Sequence, residues 1–356
     1  MSMVPRDGCD TMTFIKNIWY VAAWASELEA DKPIGRAGIG EPIVLWHDSE
    51  GHLIAMEDRC PHRHAPLSMG RTRGDEIQCM YHGLTFSKEG RCVRVPGTET
   101  IPPNTVVRQF PVVVRDDWVW VWLGDPDLAD EDKIPQAFGL DNETYKGFPG
   151  SHIDYEANYE LVNDNLTDLA HLDFVHETTL GAMTGRIWSE DAPRVRQIEG
   201  GLQIERWLMN SIDPQPGQPE TWNEYRYMLP GFFLQEVFMY PPGTAERCSF
   251  ERPPEDIQPV FARFDQQAVT PISETRTRYF FSAGVRRQFL GGGPPADEVL
   301  KTVNAAFAED HAMIEGQQRI WNLTDPATPK AFIPNDKAPS LFRKMIARRL
   351  ELEAGS

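Results

Sequence analysis

The chain has 356 residues, 41% apolar and 25% charged, with 35 basic against 53 acidic side chains and a formal charge of −18. That length suits two domains with an ordinary folded composition, and the acidity disfavours nucleic acid and anionic membrane surfaces as partners. No apolar run approaches the roughly 20 residues of a membrane span, and the opening MSMVPRDGCDTM lacks the apolar core of a secretory signal, so the expectation is a cytoplasmic protein.

Residues 1–12 are expected to form a disordered tail. From 17 to 124 the text is strand-like, with short β-rich runs at 18–23, 43–47, 52–57, 77–81 and 118–123 separated by Gly, Pro, Asp and Asn. Trp118, Trp120 and Trp122 alternate with Val119 and Val121, which predicts a half-buried strand. This reads as a small all-β domain over 13–125. The Pro-, Asp- and Gly-rich stretch 125–149 marks a boundary, and a second domain is expected over 126–356. A helix is expected over 158–176, strands over 202–209, 224–228, 232–240, 260–270 and 275–283, a Gly/Pro loop at 291–295, a helix over 296–319 and a charged helix over 338–353. Helices flanking an antiparallel sheet make the second domain, and the chain as a whole, α+β.

The five cysteines sit at 9, 60, 79, 92 and 248. So sparse and odd a set argues against a disulfide framework. Cys92 and Cys248 read as small buried hydrophobes. Cys60 and Cys79 differ, because each has a histidine at metal-ligand spacing. The text is C-P-H-R-H at 60–64 and C-M-Y-H-G at 79–83, that is C-x-H, sixteen intervening residues and C-x2-H. Two cysteines and two histidines could bind tetrahedral zinc, but such fingers usually pair Cys with Cys and His with His. Here each short loop carries one of each. The mixed spacing favours a Rieske [2Fe–2S] cluster, in which two histidines replace two cysteines on one iron and raise the reduction potential.

On these residues the chain resembles the Rieske-type ring-hydroxylating oxygenases, and among them the vanillate O-demethylase group. The resemblance runs from about residue 13 to the final helix. It implies that Cys60 and Cys79 ligate one iron and His62 and His82 the other. The chain departs from the commoner pattern at His64, where Gly or Ser is frequent, and at Leu84, where Trp is common. His64 adds a second candidate beside His62, but the C-x-H spacing favours His62.

The second constellation is N-D-N-L-T-D-L-A-H-L-D-F-V-H at 163–176. On one straight helix Asp164, Asp168 and His171 share a face, whereas His176 lies about 140° away from His171. Both histidines reach one metal only if the helix is irregular between them, and that irregularity is expected. Two histidines and one carboxylate are the facial triad of non-haem Fe(II) oxygenases. The resemblance points to F-A-E-D-H at 307–311 for the carboxylate, with Asp310 at the matched position and Glu309 as the alternative. It also implies that Asp168 does not ligate iron. Instead Asp168 hydrogen-bonds His171 and the Rieske histidine of a neighbouring subunit, as an electron-transfer bridge in a head-to-tail homotrimer. Asn165 and Asp164 are expected at the same interface or cavity, and Asp173 and Glu177 as solvent-facing or capping charges.

What the resemblance implies is a helix-grip catalytic domain and the terminal oxygenase of a multicomponent monooxygenase. NAD(P)H electrons arrive through a separate reductase or ferredoxin, and O2 is used at a mononuclear Fe(II) to oxidise a small aromatic substrate. O-demethylation of a vanillate-like methoxylated acid, with release of formaldehyde, is the first choice. Ring, methyl and N-methyl hydroxylation are alternatives. Two readings of other classes are a Rieske ferredoxin-like carrier, which needs only the first domain, and a zinc-stabilised binding module. The pocket is expected against the large sheet, with Trp207, Trp222, Phe232, Phe233, Phe238 and Phe281 as its apolar wall. Arg206, Arg226, Arg263 or Asn210 could meet a substrate carboxylate.

Overall fold

The computed structural model describes residues 13–292 and 296–355. The expected tail 1–12, Cys9 and positions 293–295 of the Gly/Pro loop lie outside them. The first domain is built from three small antiparallel sheets. Trp19–Trp24 pairs with Trp118–Trp122, which pairs with Val112–Arg115. A second sheet holds Ile34–Gly38, Glu41–His47, Leu53–Glu57 and Gln109–Phe110, and a third holds Arg71–Arg73, Glu76–Gln78, Thr85–Ser87 and Cys92–Arg94. The strand expected over 77–81 stops at Gln78. Beyond it the Cys79 amide donates to Leu84 O and the Gly83 amide to Cys79 O, each at 2.9 Å. This closes a tight loop in place of a ladder.

Trp118–Trp122 is not half-buried, as its alternation suggested: all five residues are buried. Val119 and Val121 pack into the first domain with Tyr20 and Leu45. The tryptophan face is covered by the second domain, where Phe232 lies 5.3 Å from Trp118 and 4.9 Å from Trp120. The period-2 pattern was there, but two different cores cover its two faces. Thr270 Oγ1 donates to Val21 O at 2.6 Å and the Ile39 amide to Pro271 O at 2.6 Å, so the domains are joined by hydrogen bonds as well as by indole packing.

The second domain is one large antiparallel sheet. Its strands Gly201–Leu208, Glu220–Met228, Phe232–Tyr240, Phe261–Ser273 and Arg276–Arg286 follow one another as neighbours. Arg194–Ile198 adds one edge, and Tyr145–Gly147 and Ser151–Tyr155 both pair with Arg276–Arg286 at the other. These three edge strands escaped the sequence reading because they are short and carry exposed polar residues. The helices are α1 (Tyr159–Thr167), α2 (Leu180–Thr184), α3 (Thr244–Arg247), α4 (Ala296–Trp321) and α5 (Lys337–Ala354). On α4 the stripe Val303, Ala306, Phe307, Asp310, Ile314 and Gln318 is buried at helical spacing. α5 packs on α1 through Arg343 Nε, which donates to Asp164 Oδ1 at 2.8 Å. No helix among the described residues is long and apolar enough to cross a membrane.

Candidate active site

The helix expected over 158–176 ends nine residues early. Asn158 caps its start by accepting the Glu160 amide at 2.8 Å. At its end Thr167 Oγ1 donates back to Asn163 O at 2.7 Å, and Asp168 is extended, with φ −123° and ψ 101°. The Asp168 carboxylate then accepts the Ala170 amide at 2.8 Å and caps a 3-10 turn over Leu169–Asp173. Short polar side chains that bond their own backbone compete with helix in this way. The irregularity expected between the two histidines therefore begins before His171, and Asp164, Asp168 and His171 do not share a helix face. Asp164 turns instead to Arg343 on α5. Asp173 accepts the Trp188 and Ser189 amides at 3.0 and 2.7 Å, and Glu177 is exposed.

The break swings His171 and His176 toward α4. Their rings lie 5.3 Å apart. One nitrogen from each and a carboxylate oxygen of Asp310 all lie within 4.8 Å of one another. His171 Nε2 is 3.7 Å from Asp310 Oδ1, and His176 Nε2 is 3.2 Å from Asp310 Oδ2. Ligand atoms near 2.1 Å from one metal and at right angles would be about 3 Å apart. The far nitrogens are held: His171 Nδ1 donates to Asp168 O at 2.5 Å and His176 Nδ1 to Glu309 Oε2 at 2.9 Å. These partners assign both protons to Nδ1 and leave both Nε2 lone pairs facing Asp310. Glu309 is fixed in turn by Thr179 Oγ1 at 2.6 Å. Asn165 Nδ2 donates to Asp310 Oδ1 at 2.8 Å and lies 3.3 Å from His171 Nε2. The donor set, two neutral imidazoles and one carboxylate with open positions, fits a non-haem iron.

Electrostatics follow from this arrangement. Burial pushes the His171 imidazole below its ordinary pKa, against the pull of Asp310. Burial also acts on His176, but the hydrogen bond and charge of Asp310, and then those of Glu309, outweigh it and raise that ring. Burial raises the Asp168 carboxyl, against the Ala170 amide and the His171 ring. The His171 proton goes to the backbone carbonyl of Asp168, not to its carboxylate, which differs from the role the resemblance implied for that side chain.

The set opens on a cavity of about 220 Å³. Leu166, Leu169 and Leu172 line it together with Phe233, Gln235, Val237 and Met239, the last four alternating along one strand. Of the expected aromatic wall only Phe233 is there. Trp207, Trp222 and Phe238 form a separate apolar cluster with Tyr240. Phe232 faces the first domain, and Phe281 packs on Phe307 at 4.5 Å. Arg206, Arg226 and Asn210 are not among the lining residues; Arg206 donates to the Trp188 and Asp191 carbonyls instead. Arg263 lines the cavity, paired with Asp265 at 2.5 Å. Sequence reasoning missed Arg186, which also lines it. Nothing around Arg186 in the sequence signals burial. Glu309 was weighed only as a ligand. Asp310, by contrast, interrupts the apolar stripe of α4, a signal legible in the sequence.

In the first domain Cys60 and Cys79 are buried in an apolar cluster with Trp46, Leu67, Ile77 and Phe86. His62 and His82 are exposed, with ring centroids 4.6 Å apart. Two buried sulfurs beneath two exposed imidazoles suit a cluster that meets its redox partners through the histidine side. His64 is also exposed; its backbone is left-handed (φ 57°), and its amide donates to Cys60 O at 2.8 Å. A residue without Cβ is favoured there, which accounts for the frequent Gly at this position.

Comparison with known proteins agrees with this layout. Residues 18–111 match the Rieske [2Fe–2S] domain family, and residues 155–352 match the vanillate O-demethylase oxygenase C-terminal domain family. The chain is 36% identical over 350 residues to the iron–sulfur subunit of a toluene-4-sulfonate monooxygenase system of Comamonas testosteroni, covering 96% of this chain and 99% of that one. It is 34% identical over 324 residues to the oxygenase component of dicamba O-demethylase of Stenotrophomonas maltophilia, covering 86% and 89%. The crystal structure of dicamba monooxygenase bound to 3,6-dichlorosalicylic acid superposes with a TM-score of 0.83 at 31% identity, over 97% of this chain and all of that one. The chain belongs to the Rieske non-haem iron oxygenases of the vanillate O-demethylase type, an enzyme component with a [2Fe–2S] cluster and a mononuclear iron that takes its electrons from a separate protein.

Proposed function

We propose that the protein oxidises a methyl carbon of a small aromatic acid, with iron held by His171, His176 and Asp310 and the cluster held by Cys60, Cys79, His62 and His82. The observation that carries this reading is the convergence of two Nε2 atoms and one carboxylate on the wall of an apolar cavity of about 220 Å³. Iron, when bound there, supplies the activation of O2. The chain's own residues do the rest. Asp168 O and Glu309 fix the imidazoles, Asn165 orients Asp310, and the leucines and Phe233 exclude water and hold a ring. If the carbon is a methoxyl methyl, the hydroxylated product is a hemiacetal that collapses to a phenol and formaldehyde, which is O-demethylation. One oxygen atom enters the product, the other leaves as water, and NAD(P)H supplies the two electrons. Hydroxylation of a ring methyl is the second reading, supported by the 36% identity to the toluene-4-sulfonate enzyme.

The working assembly in this proposal is a cytoplasmic head-to-tail homotrimer. Met69, Met80 and Tyr81 are exposed in the domain that carries the exposed His62 and His82, with the Tyr81 ring 4.1 Å from that of His82, and exposed Phe174, Met313 and Ile320 line a groove beside α4. Patches of this kind fit an interface between copies. Asp168 bridges to the neighbouring cluster, its backbone carbonyl holding His171 on one side and its Oδ2, which has no hydrogen-bond partner among the described residues, left for the neighbour's histidine. Asp168→Asn then leaves the cluster reducible while product in a single turnover falls sharply. Unchanged product yield, or a monomer in sedimentation, would remove the bridge.

The substrate test uses purified protein, a suitable reductase, NADH and a panel of methoxybenzoates and methylarenesulfonates. Formaldehyde in step with O2 from one methoxybenzoate supports O-demethylation. O2 uptake with a benzylic alcohol and no formaldehyde supports the second reading. O2 uptake that no member of the panel stimulates sinks both.

A further inference from the structure

Arg186 follows Gly185, which ends α2 in the left-handed conformation, and its side chain reaches the cavity at 6% exposure. Its Nη2 donates to Pro219 O, and Nε and Nη1 have no hydrogen-bond partner among the described residues. No carboxylate lies within ion-pair distance of it among them. The acids nearest in charge terms, Glu220 and Asp191, are engaged elsewhere: Glu220 accepts the Gly243 and Ala245 amides at 2.8 and 2.7 Å, and Asp191 accepts the Met209 amide at 3.0 Å. The other charges that line the cavity are answered, Arg263 by Asp265 and Asp310 by the proposed metal. The guanidinium thus lines the cavity with one carbonyl as its protein partner among the described residues, and its planar set of donors suits a planar or tetrahedral oxyanion.

Its position along the sheet is also informative. Pro219 precedes the Glu220–Met228 strand, whose Thr221 pairs with Met239. The α1 end is tied to the same strand by Tyr225 Oη, which donates to Thr167 O at 3.1 Å. Those two registers are four residues apart, about 13 Å along the strand. Gln235, Val237 and Met239 line the cavity between them.

We propose that Arg186 is the anion anchor of the substrate site. The substrate is a singly charged arene, sulfonate or carboxylate, one of whose oxygens meets the free Nη1 of Arg186. Its ring lies along the Gln235–Met239 row, and the carbon to be oxidised, carried across the ring from the anion, points at His171 and Asp310. This rests on the oxygenase reading above and narrows it to monoanions.

The test is calorimetric binding to the oxidised, iron-loaded protein without turnover, using toluene-4-sulfonate, 4-methylbenzoate and the uncharged toluene-4-sulfonamide. Wild type binds one of the anions more tightly than the sulfonamide. R186Q weakens that anion by roughly 30-fold or more, the scale of an unpaired buried charge, and leaves the sulfonamide within about threefold; R186K restores part of the loss. The proposal is overturned if R186Q keeps the anion affinity, if R186Q loses anion and sulfonamide alike, as a purely structural arginine would, or if wild type prefers the sulfonamide or binds none of the three. NADH-dependent oxidation of a neutral methylarene by wild type in those last cases would show that the oxygenase reading survives and only the anchor has failed.

Discussion

Glu309 and Asp310, neighbours in sequence, grip opposite edges of one imidazole: Asp310 Oδ2 lies 3.2 Å from His176 Nε2, and Glu309 Oε2 lies 2.9 Å from His176 Nδ1. Successive helical residues point about 100° apart, so both carboxylates reach the ring only because His176 enters edge-on from an irregular segment. In the proposed site the division of labour follows: Asp310 would face the metal and Glu309 would set the tautomer.

Glu309 is therefore expected to be a positioning residue whose loss weakens metal binding without removing a ligand. Such partners are worth about 10–100-fold in affinity or activity. Glu309→Ala should lower ferrous affinity on that scale, measured by titrating protein stripped of its mononuclear iron, while Glu309→Gln, which keeps an acceptor, loses less. Equal affinity in wild type and Glu309→Ala would remove Glu309 from this role.

The two carboxylates also predict a pH dependence. His176 is raised above its ordinary value in the metal-free site, near 6.5 for a free histidine. Protonated His176 thus contributes stability to the metal-free fold that is full below about pH 6.5 and is lost as pH rises through the folded value. Metal binding runs the other way, because it needs the neutral ring. Cobalt affinity of the stripped protein should rise from pH 6 to pH 8, and a flat profile contradicts the coupling.

Gly181 is required by close approach. A Cβ built there would lie 2.7 Å from Leu172 O and 2.9 Å from His176 O, and the Gly181 amide donates to His176 O at 3.0 Å. Gly181→Ala should push the His176 backbone away, costing about 1–3 kcal/mol of stability as overpacking does, and should lower the iron content of purified protein while the cluster spectrum stays. Full iron occupancy in this variant would mean the backbone can give.

His64 tests the cluster assignment. A left-handed non-glycine backbone costs about 1–2 kcal/mol. His64→Gly is expected to raise the thermal midpoint of the protein and leave the electron paramagnetic resonance of the reduced cluster unchanged. A shifted resonance would make His64, and not His62, the ligand.

What could be read from the residues was whatever is local. The C-x-H and C-x2-H loops, the His171–His176 spacing that demands a broken helix, and the acid in the apolar stripe of α4 are all visible along the chain. Properties that depend on which elements meet were not. Trp118–Trp122 is buried on both faces because a second domain covers it. The helix breaks at Asp168 and not later because Thr167 and Asp168 bond their own backbone. Most of the proposed aromatic wall belongs to other clusters, since strand aromatics report burial and not which cavity they face. Arg186 carries no pattern at all; only its enclosure without a counter-ion distinguishes it from any surface arginine.

The central claim, that oxidation occurs at a metal held by His171, His176 and Asp310 and fed by a separate cluster, is tested most directly by Asp310→Ala assayed beside wild type with reductase, NADH, O2 and an oxidisable arene. The account predicts that the variant keeps a reducible [2Fe–2S] cluster, lacks the mononuclear iron and forms no product, while wild type forms product in step with O2. Product from Asp310→Ala at a rate near that of wild type would contradict it.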